Sequence, residues 1–272
     1  DLSREGYKEV TLLGQNVNTW KPTKGKGTRF AELLEAVALV DPAIRVRFTS
    51  PHPKDYSDDV LHCIAQYPNI CRGLHVPVQS GSSRMLSVMG RGHTRDEYFS
   101  LIQRMREIVP NVRLSTDTIS GFCGESEEDH RDTLDLLEQV KFEQAFMFAY
   151  SMREKTRAHR QLVDDVPQDI KLRRLQEVVE TFRRVALDTS LERDVLDACG
   201  DPVLHKVLVE GVSKRSTEDA VQLTGKNDGF KRCVFDSVPL PDGSLVQPGD
   251  YVLVKCETPA VSTLQTELIR RA

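Results

Sequence analysis

The feature that most constrains this chain is a regular exchange of two hydrophobic periods over its first 150 residues. Short apolar runs suited to strands occur at Glu9–Leu13, Arg45–Thr49, Gly73–Val78, Val112–Ile119 and Gln144–Tyr150. Between them lie stretches with helical spacing at Phe30–Val40, Tyr56–Gln66, Ser83–Met89, Thr94–Val109 and Ser126–Val140, and Pro110 stops the fourth. A strand that returns parallel to its predecessor needs a crossover of about a dozen residues, which a helix supplies. The pattern therefore predicts βα units around a parallel sheet, an α/β fold with the character of a barrel or open barrel. Asp1–Glu5 reads as the end of a helix capped by Gly6, and no strand precedes Glu9. The expectation is a barrel lacking its first strand, in a chain that is N-terminally incomplete.

Residues 168–197 read as one long helix with an apolar stripe of Leu172, Leu175, Val179, Phe182 and Ala186. After Cys199-Gly200-Asp201-Pro202 the period becomes two, in Val203–Glu210, Val221–Thr224, Cys233–Asp236 and Tyr251–Cys256. Gly225, Asn227, Asp228, Gly229, Pro241, Asp242, Gly243, Pro248 and Gly249 supply turns. The predicted organisation is a βα domain over 1–197 and a small antiparallel β-domain over 198–272.

No run approaches the roughly 18 apolar residues of a spanning helix, so no membrane partner is expected. The net charge of −4 does not by itself announce a nucleic-acid binder. The six cysteines, Cys63, Cys71, Cys123, Cys199, Cys233 and Cys256, are separated by 8, 52, 76, 34 and 23 positions. None of these gaps matches a local metal-binding run, so no metal ligand is assigned within the chain.

In a parallel βα barrel, chemistry collects after the C-terminal ends of the strands. Those ends read Gly14-Gln15-Asn16-Val17-Asn18, Ser50-Pro51-His52-Pro53, Pro77-Val78-Gln79-Ser80-Gly81-Ser82, Ser120-Gly121-Phe122-Cys123-Gly124-Glu125 and Tyr150-Ser151-Met152-Arg153. They are rich in amides, hydroxyls and glycines, which suits a polar ligand held largely by backbone groups. Gln15 and Asn16 serve equally well as turn formers, and Ser80-Gly81 equally well as a helix cap. Arg113, Ser115 and Asp117 share one strand face, and a carboxylate there needs a partner. Gly121 and Gly124 point to a close backbone approach. Basic residues gather in two of the loops, as Lys21, Lys24, Lys26 and Arg29 and as Arg153, Lys155, Arg157, His159 and Arg160. In the β-domain the local basic candidates are Lys206, Lys214, Arg215, Lys226, Lys231 and Arg232. Two basic loops around one mouth favour an anionic macromolecule.

Four strings, EVTLLGQNVN, RFTSPHPKDYSDDVL, LHVPVQSGSSRMLSVMGRGHTRDEY and STDTISGFCGESEEDH, occur in order across about 130 residues. Together they resemble the radical-SAM tRNA methylthiotransferases of MiaB type. KVLVEGVSKRS, LTGKNDG and QPGDYVLVKC resemble that family's TRAM domain, a small RNA-binding β-barrel. Cys123-Gly124-Glu125 and AYSMREKTRA resemble the eukaryotic, largely mitochondrial branch, known as cyclin-dependent-kinase-five regulatory-subunit-associated protein one. The resemblance implies a partial (βα)6 radical-SAM barrel followed by a TRAM barrel. It also implies methylthiolation at C2 of N6-isopentenyladenosine beside the anticodon. The implied cofactors are S-adenosylmethionine and two 4Fe–4S clusters of the full-length protein, whose ligands are not in this chain, so that the chain alone is inactive. Gln15, Asn16, Ser80, Ser115, Asp117 and Gly121 are the implied cofactor contacts, while the catalytic residues stay unassigned. Lys21, Lys24, Lys26, Arg153, Lys155, Arg157, Lys214, Arg215 and Lys226 are the implied tRNA contacts. The implied partners are tRNA, an electron donor and a possible protein partner, in mitochondria or cytoplasm. Two alternatives stay open: a methylthiotransferase for another tRNA adenosine or a ribosomal protein, and a cluster-free fragment that only binds RNA or a partner.

Overall fold

Alternation of strand and helix holds from residue 9 to residue 149 in the computed structural model, which describes residues 1–21, 29–49, 52–217, 220–240 and 243–272. The elements are β1 (Glu9–Leu12), α1 (Phe30–Ala38), β2 (Arg45–Phe48), α2 (Asp58–Gln66), β3 (Gly73–His75), α3 (Ser83–Met89), α4 (Arg95–Ile108), β4 (Arg113–Ser120), α5 (Glu127–Val140) and β5 (Gln144–Ala149). β1 pairs parallel with β2, and β3, β4 and β5 pair parallel in sequence. A parallel bridge from Val46 to Ile70 joins the two groups, and the Cys71 N–H donates to the Val46 carbonyl at 2.9 Å. The five strands thus follow one another in chain order across one open ribbon.

Strand alternation sorts the side chains between two faces. Val10, Leu12, Val46, Phe48, Leu74 and Leu114 join residues of α1, α2, α4 and α5 in the main core. The other face carries Glu9, Arg45 and Arg47 on the early strands and Arg113, Ser115, Asp117, Phe146 and Phe148 on the late ones. Capping is local and legible: Thr94 and Ser126 each close a capping box, with Glu97 and Asp129.

A short helix, α6 (Arg157–Gln161), precedes α7 (Gln168–Asp194). The buried stripe of α7 is rotated from the expected one. Leu172 is 52% exposed, whereas Lys171, Arg174, Val178, Phe182, Val185 and Ala186 are buried. Lys171 and Arg174 enter the interior because each finds a carboxylate there, Asp164 for Lys171 and Glu125 for Arg174.

The last strands are β6 (Leu204–Val212), β7 (Gln222–Lys226), β8 (Arg232–Asp236), β9 (Tyr251–Thr258) and β10 (Thr263–Arg271). They close a barrel in the order β10-β8-β7-β6-β9 around Val207, Val209, Leu223, Phe235, Val252, Val254 and Leu264. The sequence reading missed β10, which completes the closure by running parallel to β8 and antiparallel to β9. The first residues also differ from expectation. Leu2–Gly6 forms a hydrogen-bonded turn rather than a helix end, with Gly6 at φ +86°.

The turn between β7 and β8 plugs the sheet where its strands begin. Arg47 donates to the carbonyls of Asn227 at 2.8 Å and Asp228 at 3.0 Å. Arg45 donates to the carbonyls of Lys226 at 2.8 Å and Lys206 at 3.0 Å. A Cβ at Gly73 would stand 2.8 Å from the Asp228 carbonyl oxygen, so glycine is what lets the turn seat. Lys231 pairs with Asp194 of α7 inside the same junction.

Candidate functional site

The helix-free face above that plug holds the one polar cluster that combines sequence-expected residues. Ser115 and Asp117 follow Arg113 at period two on β4, and β3 places His75 beside Ser115 by register. The His75 Nδ1 lies 3.0 Å from the Ser115 Oγ, and its Nε2 lies 3.3 Å from the Asp117 Oδ2. The partner that the Asp117 carboxylate required is therefore His75, a residue the sequence reading quoted in a motif and did not select. Arg113 belongs elsewhere. Its guanidinium sits 2.9 Å from Asp194 at the lower end of the sheet.

Phe146 and Phe148 project from the same face of β5 and are 52% and 54% exposed. Period two along Gln144–Ala149 was the signal that would have found them. Arg91, after α3, is a second missed residue. Burial pushes its pKa down and the nearby Asp117 charge pulls it back up. Among the described residues no ion pair is formed by its guanidinium.

The loop after β1 gives its two amides different settings. Gln15 is exposed. Asn16 is committed to the loop after β2: its amide donates to Asp55 at 2.8 Å and its carbonyl oxygen accepts from the His52 N–H at 3.2 Å. Asn18 brackets the same residue, donating to the His52 carbonyl at 3.1 Å. Both asparagines thus tie two loops together. Ser50 and Pro51 lie outside the described residues.

Two expected ligand contacts have partners within the protein. Ser80 is fully buried, its hydroxyl 3.4 Å from the Thr133 hydroxyl and accepting from the Ser82 N–H at 3.2 Å. A Cβ at Gly81 would fall 2.2 Å from the Asp132 carbonyl oxygen, so this loop is shaped by its seat on α5. Gly121, at φ +77°, does mark a close approach, but the neighbour is Lys171, whose Cγ would meet a Cβ at 2.2 Å. The Gly121 N–H donates to Glu125 at 2.7 Å, and Glu125 in turn receives Arg174 at 2.9 Å. That clasp fixes the loop after β4 against α7. Burial raises the Glu125 pKa, against the opposing pull of the Gly121 N–H and Arg174.

The basic candidates divide in the same way. Lys21, Arg153, Lys155, Lys214 and Arg215 are exposed, whereas Lys24 and Lys26 lie outside the described residues. Arg157 is exposed on α6, donating to Gln161 at 2.9 Å. Lys226 is half-buried, 3.6 Å from Glu210. Lys231 is buried against Asp194 and is withdrawn from the surface set.

The described residues do not fit an iron–sulfur cluster. No group of three or more His, Cys, Asp or Glu among them is arranged to hold a metal. All six cysteines are free and five are buried. Burial pushes the Cys71 and Cys233 thiols up to about 12 and the Cys63 and Cys256 thiols up to about 11, far from the thiolate that ligates iron. Among the described residues no helix is long and apolar enough to cross a membrane.

Comparison with known proteins gives the chain its family. Residues 1–137 match the Radical SAM superfamily. The chain is 45% identical over 99% of its length to the mitochondrial tRNA methylthiotransferase CDK5RAP1 of Mus musculus, covering 49% of that protein. It is 46% identical over 97% of its length to the tRNA-2-methylthio-N(6)-dimethylallyladenosine synthase of Prosthecochloris aestuarii, covering 56% of it. The chain thus spans about half the length of the curated relatives it matches. With half of its residues inside the family match, the chain belongs to the radical SAM superfamily.

Proposed function

We propose that this chain is the cofactor-pocket and RNA-gripping part of a tRNA methylthiotransferase that modifies N6-dimethylallyladenosine at C2. The observation that carries this reading is identity of 45–46% along 97–99% of the chain to relatives named for that activity. It spans the parallel sheet and the closed barrel alike. In this reading residues 1–197 are a radical-SAM barrel lacking its first strand, and residues 198–272 are a TRAM barrel. The mitochondrial names of animal relatives favour a mitochondrial compartment.

The cofactors of this chemistry are S-adenosylmethionine and 4Fe–4S clusters. The donor set near the strand ends suits the first: an exposed amide at Gln15, the Arg91 cation for a carboxylate, and the hydroxyl of Ser115 deeper on the face. When bound, one S-adenosylmethionine would supply a carbon radical on taking an electron from a reduced 4Fe–4S cluster, and a second molecule would supply the methyl group. This chain's residues bind and orient S-adenosylmethionine, and the exposed Arg153, Lys155, Arg157, Lys214 and Arg215 bind tRNA phosphates. The described residues of this chain offer a cluster no ligand set.

The test is mass spectrometry of nucleosides from tRNA of cells lacking the gene. Loss of the 2-methylthio nucleoside with accumulation of N6-dimethylallyladenosine, reversed by complementation, is the expected result. Unchanged 2-methylthio content would overturn the reading.

A further inference from the structure

The helix-free sheet face presents a platform that cofactor binding and RNA grip leave without a task. Register sets Asp117 directly beside Phe146 and Ile119 directly beside Phe148. The two phenyl rings are 52% and 54% exposed, while Leu74 and Leu114, facing the helices, are 2% and 1% exposed. Adjacent aromatic rings left open on a sheet face, rimmed by polar groups, mark a binding surface. His75 locks the polar rim. It holds the Asp117 carboxylate at 3.3 Å, is itself held by Ser115 at 3.0 Å, and meets the Phe146 ring edge-on at 6.0 Å between centroids. Among the described residues no second hydrogen-bond donor reaches the Asp117 carboxylate, so it retains accepting capacity toward the open side.

An aromatic platform with a fixed carboxylate at its edge fits a purine that carries an exocyclic N–H. The ring stacks on phenyl, and the N–H donates to the carboxylate. An adenine alkylated once at N6 keeps one such N–H and adds an apolar tail. Phe148 and Ile119 lie one residue pair further along the strands, where that tail finds apolar cover. We propose that Phe146, Phe148 and the His75-held Asp117 form the subsite for a mono-N6-alkylated adenine. Phe148 determines specificity for the tail, and His75 is a positioning residue for Asp117. The proposal rests on the reading of the chain as part of a tRNA-adenosine methylthiotransferase.

Equilibrium dialysis of this chain against three free nucleosides tests it: adenosine, N6-dimethylallyladenosine, and the N6-methyl-N6-dimethylallyl analogue that has no N–H. The expected wild-type result is preference of about tenfold for N6-dimethylallyladenosine over each of the others. Phe148→Ala erases the preference over adenosine, and Phe146→Ala weakens all three about tenfold. Asp117→Ala and His75→Ala erase the preference over the analogue, and His75→Gln restores part of it. These preferences are ratios within one variant, so a partly destabilised protein does not imitate them. Equal wild-type binding of the three nucleosides, no binding at millimolar concentration, or ratios unchanged in Phe148→Ala and His75→Ala overturns the subsite. Methylthiolation lost or retained in cells bears on the function reading alone, so the two failures are distinguishable.

Discussion

The Arg47 guanidinium lies over the Phe230 ring, 4.0 Å from its centroid, and joins the parallel sheet to the turn of the small barrel. The same side chain donates to Glu9 at 2.9 Å and to the two turn carbonyls, which leaves it 1% exposed. A planar guanidinium meets these needs at once, stacking on an aromatic face while its edge donates in several directions. Gln144 adds a contact at 3.4 Å to the Phe230 carbonyl. The turn of the barrel thus forms the floor of the sheet face that carries His75 and Asp117.

Arg47→Ala takes the hydrogen-bond donor from the Glu9 carboxylate and the Asp228 carbonyl, and leaves the Asn227 carbonyl with the Phe230 N–H alone. Losing one partner of a buried, charge-assisted set costs about 3 kcal/mol. Urea unfolding is expected to read that loss, and Arg47→Lys recovers only part of it because an ammonium cannot match the fork. A change under about 0.5 kcal/mol, the size typical of surface substitutions, would show that the floor is not held by this residue.

Gly121→Ala is expected to destabilise by about 2 kcal/mol in the same assay, since it combines a left-handed backbone with a collision against Lys171. Lys171 would be driven from Asp164 and from its place 5.3 Å from the Tyr150 ring centroid. A substitution that left stability intact and abolished cofactor binding instead would restore the ligand role first expected for this glycine.

These two residues also mark what the sequence made legible. The βα order, the helix starts at Thr94 and Ser126 and the sharing of a face by Arg113, Ser115 and Asp117 follow from periodicity. What filled the space beside Gly121 did not, because Lys171 is 50 positions away and arrives on a helix whose buried stripe is partly charged. β10 escaped notice for a related reason. Its alternation buries Leu264 and Thr266 against a polar outer face, and only pairing with β8 and β9 makes it a strand. Lys231 looked like a surface cation until Asp194 appeared beside it.

Asp194 gives a pH prediction. Burial raises its pKa, but Arg113, Lys231 and the Ser190 hydroxyl lower it further, and the net shift is below the ordinary 3.8. A carboxyl depressed on folding contributes stability that is complete above its unfolded value and disappears as pH falls through the folded one. Stability from this group is therefore expected to hold at neutral pH and to be lost below about 3.8. Asp194→Asn is expected to lower stability at pH 7 and to flatten the acid limb of the urea midpoint against pH. An unchanged acid limb would assign the acid sensitivity to other carboxyls.

Salt dependence separates the proposed tRNA contacts from buried charge. Each phosphate neutralised on a single strand contributes about −0.7 to the slope of log affinity against log salt, and about −0.9 on a duplex. Arg153 and Lys155 are exposed, as are Lys214 and Arg215, so their cations are available to phosphates. Arg153→Gln with Lys155→Gln, and separately Lys214→Gln with Arg215→Gln, are expected to reduce the slope for tRNA by about 1–2 each. Lys231→Gln removes the same charge per residue, yet its ammonium is buried on Asp194 and touches no solvent-borne anion. It is expected to lower stability and leave the slope where it was. Filter binding of tRNA across about 50–200 mM salt reads both quantities against wild type. If both double variants keep the wild-type slope, the phosphates are gripped elsewhere. If Lys231→Gln alone lowers it in a folded protein, the barrel opens at that junction when RNA binds.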